Sequence, residues 1–387
     1  MHPAAAAPRR EAAGLIRVLN VISDTNIGGA GRVILNYLRY SDRDRFETWA
    51  ALPRGSLLKP PLEEAGAQVI EVEGMADRSY HREDVKGLQA LMGERRPDLV
   101  HTHGCLSGRI AAKRCGLPAV YSRHSAFPVP AKLKYPPGRW VNKFVNEHYA
   151  DRIIAVSPAT RDNLIEGGIS PRKITVVMNG AAPVPRTGQE EQAALKRELS
   201  IPEGHTVFGI LARLEDYKGH LDLLEAVRRL KERGREDFTV LAAGTGPFEG
   251  TLAQAVRQAG VEDRMKLLGF RSDVPALLNI LDVQLNCSYG TEATSMALLE
   301  GMSLGLPTIA SDYGGNPYVV EDGGTGLLFP SRNAAALAEA MERLMDRPEE
   351  RKALGARART VYEERFTGQV FARNTEKIYL DILKGAE

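Results

Sequence analysis

The feature that most restricts the possible folds is an alternation of two kinds of segment that runs through half the chain and then starts again. In the first half the apolar, β-rich runs are "RVLNVIS", "ETWAALP", "AQVIEVE", "DLVHTH", "AVYSRH", "RIIAVS" and "ITVVMNG", with amphipathic stretches between them. Strands alternating with helices predict a parallel sheet covered on both faces. The second half repeats the pattern with "TVFGILAR", "FTVLAAG", "MKLLGF", "DVQLNCS", "PTIAS" and "TGLLF". Between the halves "NGAAPVPRTGQEEQ", from Asn179 to Gln192, shows neither period and reads as a linker. The expected fold class is α/β, two doubly wound parallel sheets facing each other across a cleft at the carboxyl ends of their strands.

A chain of 387 residues suffices for two such cores. The expected division is a disordered tail at 1–15, a first domain at 16–184 and a second at 185–366, with a last helix at 367–387 crossing back onto the first. The 43% hydrophobic and 26% charged composition is that of a globular protein, and a net charge of +2 gives no sign of nucleic-acid binding. Cys105, Cys115 and Cys287 are widely spaced, so neither a zinc site nor a disulfide framework is expected. The alanines of the N-terminus are interrupted by Arg9, Arg10 and Glu11, unlike a signal peptide, and no run of apolar residues is long enough to span a membrane. The expected location is the cytoplasm.

Glycine turns at strand ends are the first candidates for a ligand site. "SDTNIGGAGRVILNYL" joins an apolar run to a helical pattern, a layout that aims backbone N–H groups and a helix dipole at an anion. It is not a dinucleotide fingerprint, because Ile34 stands where the third glycine belongs, and no G-K-[ST] follows to make a Walker loop. A phosphate cradle and a plain close turn both fit. "AAGTGPFEGTL" is a second strand, glycine turn and helix start, with Gly244 and Gly246 allowing close backbone approach.

The most informative segment is "SYGTEATSMALLEGMSLGLPTIASD". Glu292 and Glu300 flank seven residues, and a helix over 294–302 would set one carboxylate at its entrance and the other about 12 Å along the rise. Thr294 and Ser295 suit a helix start able to take a phosphate. Carboxylates that bind hydroxyls at either end of a diphosphate fit a nucleotide sugar; a capped core helix with a paired Glu300 fits the residues too. Arg213 and Lys218, on the turn after the first strand of the second half, can neutralise a leaving diphosphate without a metal, or can be solvated surface cations. Phe270 and Arg271 stand at a further strand exit, where a base would be contacted.

In the first half His101 and His103, and Arg123 and His124, border the expected cleft. No carboxylate or cysteine completes a metal set with the histidines. The D-x-D of Asp42 to Asp44 follows a helix and reads as surface charge. From Val129 to Tyr149 the chain mixes Lys132, Lys134, Arg139 and Lys143 with Tyr135, Trp140 and Phe144, a basic and aromatic composition that suits an anionic membrane and a lipid-linked acceptor, or an exposed helix over the sheet.

From about Arg17 onward the chain resembles the retaining glycosyltransferases of family 4, which have the GT-B fold. The resemblance rests on the E-x7-E spacing of Glu292 and Glu300, on "GMSLGLPTIASDYGGNP", on the Arg213 and Lys218 pair, on the G-x-G-P turn from Gly244, on the "LGF" strand end and on "YSRHS". It implies catalytic roles for His124, Arg213, Lys218 and Glu292. Donor contacts are implied for Gly28, Gly29, Gly244, Gly246, Phe270, Arg271, Thr294, Ser295, Met296 and Glu300, with Gly29 nearest the diphosphate and Glu300 at the ribose. His103, Arg123, Lys134 and Arg139 fall on the acceptor side. The implied activity is transfer of a sugar from a UDP- or GDP-linked donor to a carbohydrate or lipid-linked hydroxyl, with configuration retained, no metal and no other cofactor. A nucleotide-sugar epimerase of the same architecture and an inactive sugar-nucleotide binding protein are the alternatives. Three positions depart from the family pattern: Tyr318 replaces a usual glutamate, "EATS" replaces E-G-F-G, and Gly31 replaces the acid of "GGAER".

Overall fold

The computed structural model describes residues 14–385, so most of the expected N-terminal tail lies outside the described residues. All thirteen apolar runs are strands: β1 Ile16–Ile22, β2 Phe46–Pro53, β3 Gln68–Val72, β4 Leu99–His103, β5 Ala119–Arg123, β6 Arg152–Ala155, β7 Ile174–Val176, β8 Thr206–Leu211, β9 Phe238–Ala243, β10 Met265–Gly269, β11 Val283–Asn286, β12 Thr308–Ser311 and β13 Gly326–Phe329. They form two sheets, in the orders β3-β2-β1-β4-β5-β6-β7 and β10-β9-β8-β11-β12-β13, and every pairing is parallel. The class is therefore α/β with two Rossmann-like sheets.

Each sheet reverses its strand order once, between β1 and β4 in the first and between β8 and β11 in the second. Connections leave these neighbouring strands toward opposite faces, which opens a crevice at their carboxyl ends. The loops after β1, β8 and β11 carry the "NIGGAG" turn, Lys218 and Glu292 respectively, and His103 is the last residue of β4. The segments singled out for chemistry thus converge on the two places where this topology leaves room for a ligand.

Both faces of each sheet are packed. In the first, Leu19, Val21 and Val100 join the helix side chains Val85, Leu88 and Ile110, while Val18, Val120 and Ile154 on the opposite face meet Phe371, Ile378 and Tyr379. The last three belong to the helix Gly368–Lys384, which packs against the helix Gly29–Tyr40 of the first domain. Thr367 caps it by accepting from the Val370 amide, and fully burying a side chain such as Phe371 contributes about 2 to 3 kcal/mol to this docking. In the second sheet Phe208, Val240 and Val283 pack with Leu223, Val227 and Leu230 of the helix His220–Glu232.

The chain crosses between the sheets twice, and the crossings run side by side. The Ala181 amide donates to Phe366 O, the Gly368 amide donates to Ala181 O, and a Cβ on Gly180 would stand 2.4 Å from Thr367 O. The linker is also shorter than its composition implies. Gln189 to Gln192 open the helix Gln189–Glu198, whose acidic first turn and basic last turn match the helix dipole.

Candidate functional site

Glu292 lies in the loop between β11 and the helix Met296–Leu304, and its side chain is almost wholly enclosed. The helix starts at Met296, two residues later than the spacing predicts, with Ser295 as N-cap. Glu300 is consequently little more than one turn inside it. Three donors converge on Glu292 Oε2: Lys218 Nζ at 2.9 Å, Asn286 Nδ2 at 3.2 Å and Ser288 Oγ at 3.1 Å. No hydrogen bond among the described residues reaches Oε1, which leaves that oxygen able to accept from a hydroxyl.

A buried polar network supports this carboxylate from below. Asn286 Oδ1 accepts from the Ser288 amide, Ser311 Oγ donates to Ser288 O, and Asn316 Nδ2 donates to Ser311 Oγ. The "YGG" turn closes over it, and the Gly315 amide donates to Glu292 O. A Cβ on Gly315 would stand 1.6 Å from Ala293 O, so only glycine admits this approach. Asn286, Ser288, Ser311 and Asn316 were absent from the expected site. Their signal was an asparagine and serines in and just after otherwise apolar strands, where polar side chains need partners.

The two expected cations do not share a target. Lys218 is held by Glu292, whereas Arg213, with a side chain 73% exposed, pairs with Glu215 at 2.6 Å. Their loop is zipped to the G-x-G-P turn: the Leu214 amide donates to Thr245 O and the Phe248 amide to Leu214 O. A Cβ on Gly244 would lie 1.9 Å from Ala212 O, and one on Gly246 would lie 2.3 Å from Leu214 O. These glycines are required by loop-to-loop packing that fixes the segment leading to Lys218. Phe270 is 75% exposed, while Arg271 forms two bonds to Asp273 and a longer one to Glu198, so its guanidinium is already occupied.

Thr294 also departs from its expected place. It precedes the helix, and its Oγ1 donates to Val156 O at 2.6 Å, a bond from the second domain to the end of β6 in the first. Ser295 and Met296 stand at the helix entrance, partly buried. Burial pushes the Glu300 carboxyl up, and Arg32 of the helix Gly29–Tyr40 opposes the shift across the domain boundary. Arg32 was not among the expected residues, although its cationic side chain follows the glycine turn directly.

In that turn Gly28 is the N-cap of the helix, and a Cβ on Gly29 would meet nothing within 4 Å. Gly31 is different: a Cβ there would stand 2.3 Å from the tip of the Leu58 side chain, so a larger residue requires Leu58 to shift. At the ends of β4 and β5, His103 Nδ1 and His124 Nε2 are 2.8 Å apart, and Arg123 Nε donates to Ser125 O. Burial lowers the pKa of His101 to about 3 and of His124 to about 4, and pushes His103 well down as well, so the cluster is neutral at physiological pH.

Lys134 and Arg139 are not part of this group. Lys134 pairs with Glu166 at 2.7 Å, and Arg139 packs on Gly168. Both partners lie at the far end of the helix Pro158–Glu166, which starts at the carboxyl edge of β6 and runs away from it. The D-x-D segment is a surface turn in which Asp42 Oδ1 accepts from the Asp44 amide.

Two family models account for most of the chain: "Glycosyltransferase Family 4" matches residues 27–183 and "Glycosyl transferases group 1" matches residues 191–361. A D-inositol 3-phosphate glycosyltransferase of Corynebacterium aurimucosum is 29% identical over 306 residues, covering 74% of this chain and 72% of the relative. Among solved structures, a glycosyltransferase from Rickettsia africae superposes with a TM-score of 0.84 at 21% identity, covering 96% of this chain and 99% of that one. Anabaena HepE in complex with UDP and glucose gives a TM-score of 0.80 at 21% identity, covering 94% and 99%. With both halves matched by models and the GT-B architecture shared, the chain belongs to the family 4 type of glycosyltransferases.

Proposed function

We propose that the protein transfers a sugar from a nucleoside diphosphate sugar to an acceptor hydroxyl with retention of anomeric configuration and without a metal. The observation that carries this is the geometry at Glu292: one carboxylate oxygen is saturated by Lys218, Asn286 and Ser288, and the other is left to accept from a sugar hydroxyl. The diphosphate lies between the "NIGGAG" helix start and Lys218, with Glu300 at the ribose. As the bond from the anomeric carbon to the diphosphate breaks, the acceptor oxygen forms its bond on the same face and its proton passes to a diphosphate oxygen. Lys218 and the helix N-terminal amides then stabilise the charge that develops, and Arg213 joins them by leaving Glu215. The complex of HepE with UDP and glucose supports a UDP-linked donor.

The acceptor side includes a surface contact. The helix Gly138–His148 has no buried residue, and Trp140 and Phe144 on it stand 66% and 60% exposed; Val141 on the same helix, and Phe127 and Tyr135 in the segment before it, are exposed as well. We assign this face to peripheral contact with an anionic leaflet that presents a lipid-linked acceptor. No described helix is long and apolar enough to cross a membrane.

The test is a thermal-shift screen with UDP- and GDP-sugars, followed by turnover assays with and without EDTA, with the product configuration read by NMR. Stabilisation by one nucleotide sugar and an EDTA-insensitive, configuration-retaining transfer are expected. Conversion of the donor without any acceptor would indicate an epimerase, and binding without turnover against every acceptor an inactive binding protein.

A further inference from the structure

Two arginines meet on one face of β5 with no acid between them. Tyr121 and Arg123 are two positions apart on this strand, so their side chains leave the same side of the sheet. Arg109, from the helix Leu106–Arg114, lies over the Tyr121 ring, its guanidinium carbon 4.1 Å from the centroid. It is only 4% exposed, a burial that arginine tolerates when its charge is answered.

The answer within the chain is incomplete. Arg109 Nη1 donates to Asn146 Oδ1 at 3.0 Å, but its Nε is enclosed with no hydrogen-bond partner among the described residues. Asp84, whose field reaches Cys105 at the start of the same helix, is already taken by two bonds from Arg78. Burial lowers the Arg109 pKa, Tyr121 and Cys105 oppose that, and Arg123 adds to it as a like charge within reach. Arg123 itself is partly buried at the carboxyl edge of the sheet, where ligands bind in such folds. Its Nε donates to Ser125 O at 3.0 Å, and its two Nη groups make no hydrogen bond among the described residues.

Neighbouring like charges with free N–H groups are what a dianion corrects. A phosphate monoester carries about −1.5 to −2 at pH 7 and offers three acceptor oxygens to a planar guanidinium fork. A single carboxylate leaves one of the two cations uncompensated. We propose that this face of β5 is a phosphate site, in which Arg123 binds a phosphate of the acceptor through its Nη groups and Arg109 supplies the second charge from beneath. Arg109 is a positioning residue, held by Asn146 and by the Tyr121 ring. The phosphate belongs to a soluble sugar or polyol phosphate or to a lipid-borne one, and the recognition chemistry is the same. That the phosphate is the acceptor's rests on the transfer proposed above; that a phosphate binds does not.

Isothermal titration with inorganic phosphate, with acetate at equal ionic strength as the control, tests the site without any donor. The wild type should bind phosphate and not acetate. Arg123→Gln should bind it at least about tenfold more weakly, the scale of one charge-assisted hydrogen bond. Lys218→Met should bind as tightly as the wild type. Equal affinity in the wild type and Arg123→Gln would overturn the site, and so would a loss confined to Lys218→Met, which places the ion at the donor diphosphate. Arg109→Lys keeps the charge that Arg109→Met removes and should bind more tightly than it; equal affinity would reduce Arg109 to a strut for Asn146. Glycerol 3-phosphate in solution and phosphatidic acid in vesicles separate the two sources, the acceptor's kind being the one whose binding falls in Arg123→Gln. In turnover that variant should raise the KM of the acceptor about tenfold and leave the donor KM within twofold. An unchanged acceptor KM would overturn the acceptor assignment. Absence of transfer to every acceptor would reject the transfer reading and that assignment together, while the titration still decides whether the phosphate site exists.

Discussion

Lys218 Nζ and Glu292 Oε2 stand 2.9 Å apart in an ion pair whose two side chains are 19% and 7% exposed. Removing the cation leaves a buried carboxylate with only Asn286 and Ser288 to compensate it. Lys218→Met should therefore cost about 3 kcal/mol in urea denaturation, the lower end for breaking a buried pair, because two neutral donors remain. On the proposed mechanism, in which the same cation faces the departing diphosphate, it should also reduce turnover by at least ~10²-fold. A folded Lys218→Met variant with near-normal turnover would remove this lysine from the mechanism.

Glu300 gives a prediction of opposite sign for stability and for binding. Burial raises its pKa in the folded protein above the ordinary 4.5, with Arg32 opposing the shift. The native state thus holds this proton more tightly than the unfolded chain. The contribution to stability is favourable at low pH and is lost as pH rises from about 4.5 through the raised native value. Glu300→Gln carries no such penalty, so its melting temperature should exceed that of the wild type at pH 7 and converge with it below about pH 4. On the proposed contact with the ribose, donor affinity should fall at the same time, because an amide replaces the carboxylate acceptor. A variant that melts lower at pH 7 would contradict the burial argument.

The fold was legible because its signal is redundant. Each of the thirteen strands was a short apolar run bounded by turn residues, and parallel sheets need such runs. The site was legible where a residue type is scarce in its setting, as with Glu300 inside "MALLEGM" or Lys218 beside a glycine. It was not legible where the decisive fact is a partner far away in sequence. Thr294 looked like a helix cap, yet its hydroxyl is bound to Val156, 138 positions earlier. Gly244 and Gly246 looked like room for a ligand, yet the space they leave is filled by the backbone of Ala212 and Leu214. Spacing along the chain conveys local periodicity but not which loops meet.

The Thr294 bond to Val156 O is a bridge between the two domains. Thr294→Val keeps the shape and leaves a buried carbonyl without its donor, so a loss of about 1 to 2 kcal/mol is expected, visible as a lower melting temperature. Small-angle scattering should show a broader distribution of domain separations in the variant. Identical melting and scattering for the two proteins would mean the bond does not hold the cleft.

Gly244 and Gly250 make a matched pair. Gly244 has φ +148° and no space for a Cβ, whereas a Cβ on Gly250, in the helix Glu249–Ala259, meets nothing within 4 Å. Gly244→Ala should abolish folding or detach the loop before Lys218, with activity lost. Gly250→Ala should stabilise by up to about 0.5 to 1 kcal/mol, because a helical glycine is costly relative to alanine. Comparable melting temperatures for the two variants would show that the loop contact is not required.

The helix Gly138–His148 offers the last test. Trp140 and Phe144 are four residues apart and so share one face, and no residue of this helix is buried. A large apolar stripe turned toward water adds little to the stability of the folded chain, the stack of Phe144 on His148 being the aromatic contact it makes. Trp140→Ser with Phe144→Ser should therefore leave the melting temperature within about 1 °C of the wild type. On the proposed membrane contact, the same double variant should lose binding to vesicles containing anionic lipid. Lys132 and Arg139, both exposed beside the stripe, add a salt-sensitive part of about 1 kcal/mol each. Their replacement by glutamine should weaken binding most at low ionic strength. Lys143, tied to Glu147 at 2.7 Å, should matter less. Equal vesicle binding by the wild type and the double serine variant would end the membrane assignment, and a large drop in melting temperature would show that the face is covered within the protein itself.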